Sequence, residues 1–136
     1  MAESELERIA AFRTHLRQFL RTTASVTARF GLTAQRYDLL LMIRTSDEHE
    51  DGVPLTALCD RLHLRQTAVT ELVKRAVEAG LVERRPSSDD RRVRLLRLTS
   101  EGERRLQNVV VALRRDRAAL ADAFLELDER FRDAHR

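Results

Sequence analysis

The chain has 136 residues, of which 43% are hydrophobic, and this length and composition are typical of a single domain with a modest core. It contains one cysteine, Cys59, and no apolar segment long enough to span a bilayer, which excludes an internal disulfide and argues against a membrane protein. We therefore expect a cytoplasmic protein that binds no cofactor.

The positive charge is concentrated in the middle of the chain. The formal net charge is +3, but residues 61–97 carry ten basic and five acidic side chains, whereas residues 1–60 carry seven and nine. Residues 98–136 carry eight of each. A local basic field between less basic flanks is typical of a module that approaches nucleic acid.

The first third of the chain predicts two amphipathic helices. Hydrophobic residues recur at spacings of three and four from Leu6 to Leu20, with arginines between them, which indicates a helix with one apolar stripe. Gly31 is placed to end this helix, and Thr33 is placed to cap a second helix that runs through Ile43.

Two short helices and a tight turn are predicted after an acidic loop at residues 47–52. Pro54 favours a helix start at the next residue, and Gly80 favours a helix end just before it. The predicted order is a helix over 55–62, a turn over 63–65 and a helix over 66–79. This is the helix-turn-helix layout, in which the second helix can enter the major groove of DNA.

A β-hairpin is predicted directly after the helix-turn-helix. Residues 82–85 and 93–98 have the composition of strands, and the segment between them begins with Pro86 and is rich in turn-forming residues. Its tip carries several arginines. A helix-turn-helix followed by such a hairpin is a winged helix, whose tip can reach the DNA backbone or the adjacent minor groove. The predicted fold class is therefore mainly α with a small β-hairpin.

These segments resemble the MarR family of bacterial transcription regulators. The wing of that family has the pattern Asp-x-Arg, three residues, an aliphatic residue, one residue, Leu-Thr, two residues and Gly. In this chain the pattern is filled by Asp90, Arg92, Leu96, Leu98, Thr99 and Gly102. The segments AVTELVKRAVEAGLVERR and GLTAQRYDLLLMI resemble the recognition helix and the second helix of the family.

The resemblance implies one MarR-like domain over residues 1–136. It consists of a winged helix-turn-helix at about 33–99 and dimerisation helices at about 1–30 and 100–136. The last segment predicts one long helix by itself, because its hydrophobic residues follow at alternating spacings of four and three as far as Phe131, interrupted only by Arg117. Thr99 or Ser100 can cap it, and Ser100 with Glu103 can form a capping box.

A homodimer is predicted from the two terminal helices. In a chain this small, their apolar stripes exceed the area that the central winged helix can cover. The family resemblance implies the same twofold dimer, which would bind pseudo-palindromic operators.

Double-stranded DNA is the predicted partner of the recognition helix and the wing. Amide, hydroxyl and methyl groups on the helix can meet base edges, and basic side chains can meet phosphates. Glu71 departs from the family, because many members carry an arginine or a neutral polar residue near this position. Asp90 is interpreted as a support that directs the Arg92 guanidinium through a charge-assisted hydrogen bond. The predicted DNA-binding residues are Arg65, Gln66, Thr67, Ala68, Thr70, Glu71, Lys74, Arg75, Asp90, Arg91, Arg92 and Arg94.

A small aromatic effector is implied by the resemblance. In the MarR family such molecules, often aromatic or phenolic acids, bind between the dimerisation helices and the winged helix and change the separation of the two recognition helices. The residues predicted to line such a site are Phe12, His15, Phe19, Arg36 and Tyr37. Each of them is equally explained as core or helix surface.

No residue pattern indicates catalysis or a metal site. The sequence has no Gly-rich phosphate loop and no recognisable Ser-His-acid arrangement, and its four histidines are scattered. We therefore predict a DNA-binding transcriptional regulator, with repression as the favoured direction, and not an enzyme. Two other interpretations stay open, a winged-helix module that binds a protein partner without DNA and a sensor dominated by its effector site.

Overall fold

The computed structural model describes the backbone of residues 3–46 and 51–134 and the side chains of residues 4–46 and 51–127. The elements in these ranges are α1 Glu3–Arg29, α2 Ala34–Arg44, β1 Val53–Pro54, α3 Leu55–Leu62, α4 Gln66–Glu78, β2 Val82–Pro86, β3 Arg94–Leu98, α5 Ser100–Ala112 and α6 Arg114–Ala134. The predicted fold class is confirmed. Most of the predicted acidic loop and the Phe131 side chain lie outside the described residues.

The chain divides into two compact units. One runs from Thr27 to Val109 and contains the winged helix, and the other is formed by the two ends of the chain, up to Val26 and from Val110. None of the helices in the described part of the chain combines the length and the apolar character needed to cross a membrane.

The core of the winged helix is built from leucine and valine side chains of α2, α3 and α4. Leu39, Leu40, Leu58, Val69 and Val73 are fully buried there. Burial of a leucine or valine side chain contributes about 1.5–3 kcal/mol each to folding, so these positions fix how the three helices pack.

The sheet has three antiparallel strands in the order β1-β3-β2, so β3 lies in the middle. Val53 of β1 pairs with Leu96, and Val82 of β2 pairs with Leu98. Leu95 and Leu96 are both 2% exposed although neighbouring strand residues point to opposite faces, so both faces of β3 are covered. The sequence predicted the β2–β3 hairpin and missed the two-residue strand β1.

Thr99 connects the end of α4 to the start of α5 through hydrogen bonds. Its hydroxyl donates to the Gly80 carbonyl oxygen at 2.6 Å and accepts from the backbone N–H of Gly102 at 3.0 Å, while its own N–H donates to the Leu81 carbonyl oxygen at 3.0 Å. Thr99 is therefore the residue that caps α5. The carboxylate of Glu103 instead accepts from Nε of Arg44 at 3.1 Å, so the predicted Ser100–Glu103 capping box is wrong.

A carboxylate in the first turn of α5 has a strongly shifted pKa. Hydrogen bonds from Arg104 and then Arg105 lower the pKa of Glu101 to about 2. These bonds join positions three and four residues apart on the helix, the spacing at which helical side chains meet.

The unit formed by the chain ends contains most of α1 and all of α6. Phe12 and Phe124 meet edge to face there, with ring centroids 5.8 Å apart and an interplanar angle of 63°. The single C-terminal helix predicted from the seam is wrong, because the chain turns at Leu113 between α5 and α6. The N–H of Arg117 donates to the Leu113 carbonyl oxygen at 2.9 Å and starts the new helix.

Candidate nucleic-acid interface

The recognition helix α4 has one buried face and one exposed face. Val69, Val73 and Ala76 are completely buried, which fixes the orientation of the helix in the unit. The predicted base and phosphate contacts of this helix are all exposed: Gln66, Thr67, Ala68, Thr70, Glu71, Lys74 and Arg75. The helix therefore presents amide, hydroxyl, methyl, carboxylate and cationic groups together on a surface open to a partner.

The first turn of α4 has the geometry of an anion-facing helix terminus. Arg65 occupies the position before the helix with φ −69° and ψ 152°, and its side chain makes no capping hydrogen bond. The first backbone N–H groups of the helix are thus not held by this side chain, and they lie at the positive end of the helix dipole. Beside the exposed Arg65, such N–H groups favour a phosphate oxygen.

The turn before α4 depends on a left-handed residue. His63 has φ 54° and ψ 41° and ends α3, and the N–H of Leu64 donates to the Cys59 carbonyl oxygen at 3.2 Å. Among the described residues His63 is the one non-glycine residue with positive φ. This tight turn sets the direction in which α4 leaves α3.

The formal charges on the recognition helix cancel, because Lys74 and Arg75 are balanced by Glu71 and Glu78. Glu71 accepts from Nε of Arg75 at 3.0 Å, so these two side chains neutralise each other one helical turn apart. Together with Arg36 of α2, Lys74 and Glu78, they line a shallow cleft of about 410 Å³. No ion pair of Lys74 is found among the described residues, and its ammonium group is available to an outside anion.

The tip of the wing is a turn held by its own backbone. The N–H of Ser87 donates to the Val93 carbonyl oxygen at 2.9 Å, and the N–H of Val93 donates to the Asp90 carbonyl oxygen at 3.0 Å. The Ser88 hydroxyl donates to the Asp51 carboxylate at 2.9 Å, which ties the tip to the segment before β1. The tip is therefore a closed turn with a side anchor.

Asp90 organises the backbone of the tip. Its carboxylate accepts from the backbone N–H of Arg92 at 3.0 Å, an arrangement typical of an Asx turn. The Nε atom of Arg92 lies 3.6 Å from the same carboxylate oxygen, farther than a hydrogen bond reaches, and the Arg92 side chain is 94% exposed. Asp90 thus shapes the turn that carries the guanidinium and holds the guanidinium itself only weakly.

The arginines of the wing fall into two classes. Arg85 and Arg97 both contact Glu83, with N–O distances of 2.9 and 3.8 Å, and are partly neutralised by it. In the part of the chain that the structure describes, Arg91 and Arg94 have no ion-pair partner, and both are exposed. Arg84 of β2 is also exposed without an ion pair there, and it is a candidate contact that the sequence reasoning missed. The signal that could have found it is its place in the strand leading to the tip.

The five predicted effector residues lie in different surroundings. Phe12 and His15 line a cleft of about 280 Å³ on the chain-end unit, and His15 and Phe19 line a second cleft of about 270 Å³ there. Tyr37 is 9% exposed and belongs to the core of the winged helix, while Arg36 lines the cleft beside α4. One effector site formed by all five residues stays a prediction.

The comparison with protein families decides the identity of this unit. Residues 30–93, from the first residue after α1 to the last residue before β3, match the model of the MarR family. Over these 64 residues, just under half of the chain, the winged helix matches the MarR family. The match includes every predicted DNA-binding residue except Arg94, and the MarR wing pattern continues beyond it as far as Gly102.

Part of the chain is also similar to individual helix-turn-helix proteins. YdgJ of Bacillus subtilis (strain 168), an uncharacterised HTH-type transcriptional regulator, is 30% identical over 78 residues, which are 57% of this chain and 45% of YdgJ. The chain thus matches less than half the length of that relative.

Solved MarR structures share the fold at low sequence identity. The MarR family transcription regulator SP03579 has a TM-score of 0.75 and 20% identity over 95% of this chain and 84% of its own. A mutant MarR of E. coli complexed with operator DNA has a TM-score of 0.71 and 21% identity over 92% and 91% of the two chains.

Proposed function

We propose that the protein is a sequence-specific, double-stranded DNA-binding transcriptional regulator, most simply a repressor that acts by occupying its operator. The observation that carries this proposal is the pairing of an exposed recognition helix with an arginine-bearing wing in one MarR-type unit. The helix exposes groups that can read base edges, and the wing exposes Arg91, Arg92 and Arg94. The DNA complex of E. coli MarR, which has the same fold, supports this proposal.

The distribution of charge suggests different roles for the recognition helix and the wing in DNA binding. The helix over 66–78 carries two basic and two acidic side chains, whereas the hairpin over 82–98 carries six basic and three acidic ones. Contacts to phosphates give affinity without sequence information, and contacts to base edges give specificity. In the proposed function the wing therefore supplies much of the affinity, and the neutral helix supplies the choice of sequence.

A homodimer is part of the proposed function. Large hydrophobic side chains are exposed on α1 and α6: Leu6 is 46% exposed, Ile9 41%, Phe124 56% and Leu125 53%. Burial of such apolar surface favours association, and a twofold axis would make the same surface complementary to itself. Two recognition helices would then face successive major grooves on one side of the DNA, which requires a pseudo-palindromic operator.

Release by a small aromatic effector is the regulatory part of the proposal. The clefts that contain Phe12, His15 and Phe19 combine aromatic rings with a group able to hydrogen-bond a carboxylate or phenol. A ligand that binds the DNA-free dimer more tightly than the DNA-bound one must lower DNA affinity by the same factor. Screening aromatic acids for release of a bound duplex tests this part.

A salt titration of duplex binding tests the main proposal. The operator is first selected from random duplexes, and its affinity is then measured by fluorescence anisotropy between 50 and 200 mM salt. A dimer with six or more phosphate contacts should lose about a thousandfold in affinity over this range. Weak binding that is equal for selected and scrambled duplexes would favour the protein-interaction module instead.

A further inference from the structure

Glu71 stands where the recognition helix would come nearest to the bases. The buried face of α4 is defined by Val69, Val73 and Ala76. At 100° per residue, Glu71 lies about 165° around the helix from the centre of that face. It is in the second turn, and its side chain is 55% exposed. A side chain here points away from the protein and into any groove that the helix enters.

The carboxylate of Glu71 can only accept hydrogen bonds, which limits the bases that it can face. In the major groove cytosine offers the N4 amino donor, whereas guanine offers two acceptors, O6 and N7, and thymine offers the O4 acceptor and a methyl group. Adenine has a donor at N6 but an acceptor at N7 beside it. Cytosine is therefore the base that suits a single carboxylate best.

The orientation of this carboxylate is fixed by Arg75. The 3.0 Å contact joins Nε of Arg75 to one carboxylate oxygen, Oε1 of Glu71, so the other oxygen is left for a further donor. Both side chains are more than half exposed, and nothing else in the described part of the chain is hydrogen-bonded to Glu71. The pair is thus a carboxylate held from one side and open on the other.

We propose that Glu71 is a specificity-determining residue that accepts a hydrogen bond from the N4 amino group of a cytosine in each operator half-site, with Arg75 as its positioning residue. This inference rests on the proposed DNA-binding function. It accounts for a negative charge on a helix that must approach phosphates, because repulsion lowers the affinity for every duplex while the cytosine contact restores it for the correct one.

Parallel selections from random duplexes test the assignment. Wild type should enrich cytosine at one symmetric position of each half-site. Glu71→Gln should shift that single position towards adenine, because an amide can bond to N6 and N7 of adenine together. Arg75→Met should weaken the preference without changing the base. Glu78→Gln, which removes the same charge seven residues and about two helical turns farther on, should leave the selected motif unchanged and is the matched control.

A duplex whose cytosine lacks the 4-amino group gives the second measurement. Wild type should bind it at least about fivefold more weakly than the unmodified duplex, and Glu71→Ala should bind the two equally. An unchanged motif for Glu71→Gln, or an equal loss for wild type and Glu71→Ala on the modified duplex, would overturn the assignment while DNA binding itself stands. Failure of wild type to enrich any motif would overturn the proposed function and the assignment with it.

Discussion

Replacing Arg92 with alanine tests how much the wing contributes to DNA affinity, with little change in protein stability expected. The side chain is 94% exposed, and its nearest carboxylate oxygen lies 3.6 Å away, so the substitution removes no packing and at most a weak surface ion pair. If each wing of a dimer places this guanidinium against one phosphate, two phosphate contacts are lost per dimer. The slope of log affinity against log salt should then become shallower by about 1.8, since each contact contributes about 0.9.

The slope difference of about 1.8 also predicts how much more affinity wild type loses than Arg92→Ala when the salt concentration rises. A slope difference of 1.8 over a fourfold increase in salt, from 50 to 200 mM, means that wild type should lose about twelvefold more affinity than Arg92→Ala. Fluorescence anisotropy on the selected operator measures both proteins. Arg13→Ala, which removes an exposed arginine of α1, is the control for charge alone. If Arg92→Ala keeps the wild-type affinity and slope while it remains folded by circular dichroism, the wing does not contact DNA.

Four further outcomes are expected. Gly102→Ala should lower the free energy of unfolding, measured in urea, by about 2 kcal/mol or more, because the added Cβ would overlap the Leu81 carbonyl oxygen. Gly80 has open space around it but a φ of 76°, so Gly80→Ala should lower the free energy of unfolding by about 1 kcal/mol. His63→Gly should raise the free energy of unfolding by up to about 1 kcal/mol, because it relieves a left-handed φ of 54°. An unchanged free energy of unfolding would mean that the turn stores no strain. Truncation at Arg115 should abolish dimerisation and operator binding together, and an intact chain that sediments as a monomer at micromolar concentration would contradict the dimer.

The boundaries of the winged helix were predictable because single residues mark them. Gly31 and Gly80 follow α1 and α4 with φ values of 72° and 76°, which glycine adopts at little cost. Pro54 stands directly before α3, and Thr33 accepts a hydrogen bond from the N–H of Arg36 at 3.1 Å at the start of α2. In each case the chemistry of one residue determines where the element begins or ends.

The features that the sequence did not predict depend on contacts between residues far apart in the chain, or on a helix end that no glycine or proline marks. β1 is two residues long, and it is a strand only because it pairs with β3, more than 40 positions later. The Ser88–Asp51 hydrogen bond joins residues 37 positions apart. Neither glycine nor proline stands near Leu113, so the turn between α5 and α6 left the hydrophobic spacing intact and could not be found from it.

The MarR wing pattern mixes positions that build the unit with positions that can face DNA. Thr99 and Gly102 join the end of the recognition helix to α5, and Leu96 lies in the core. Asp90 bonds to the backbone of the tip, and among the positions of the pattern Arg92 is the basic residue, with a side chain that is 94% exposed. A match to the whole pattern therefore says most about how rigidly α4 and the wing are held together. In the proposed function, the choice of DNA sequence therefore falls to exposed residues outside the pattern, among which Glu71 carries the one acidic group of the first two turns of α4.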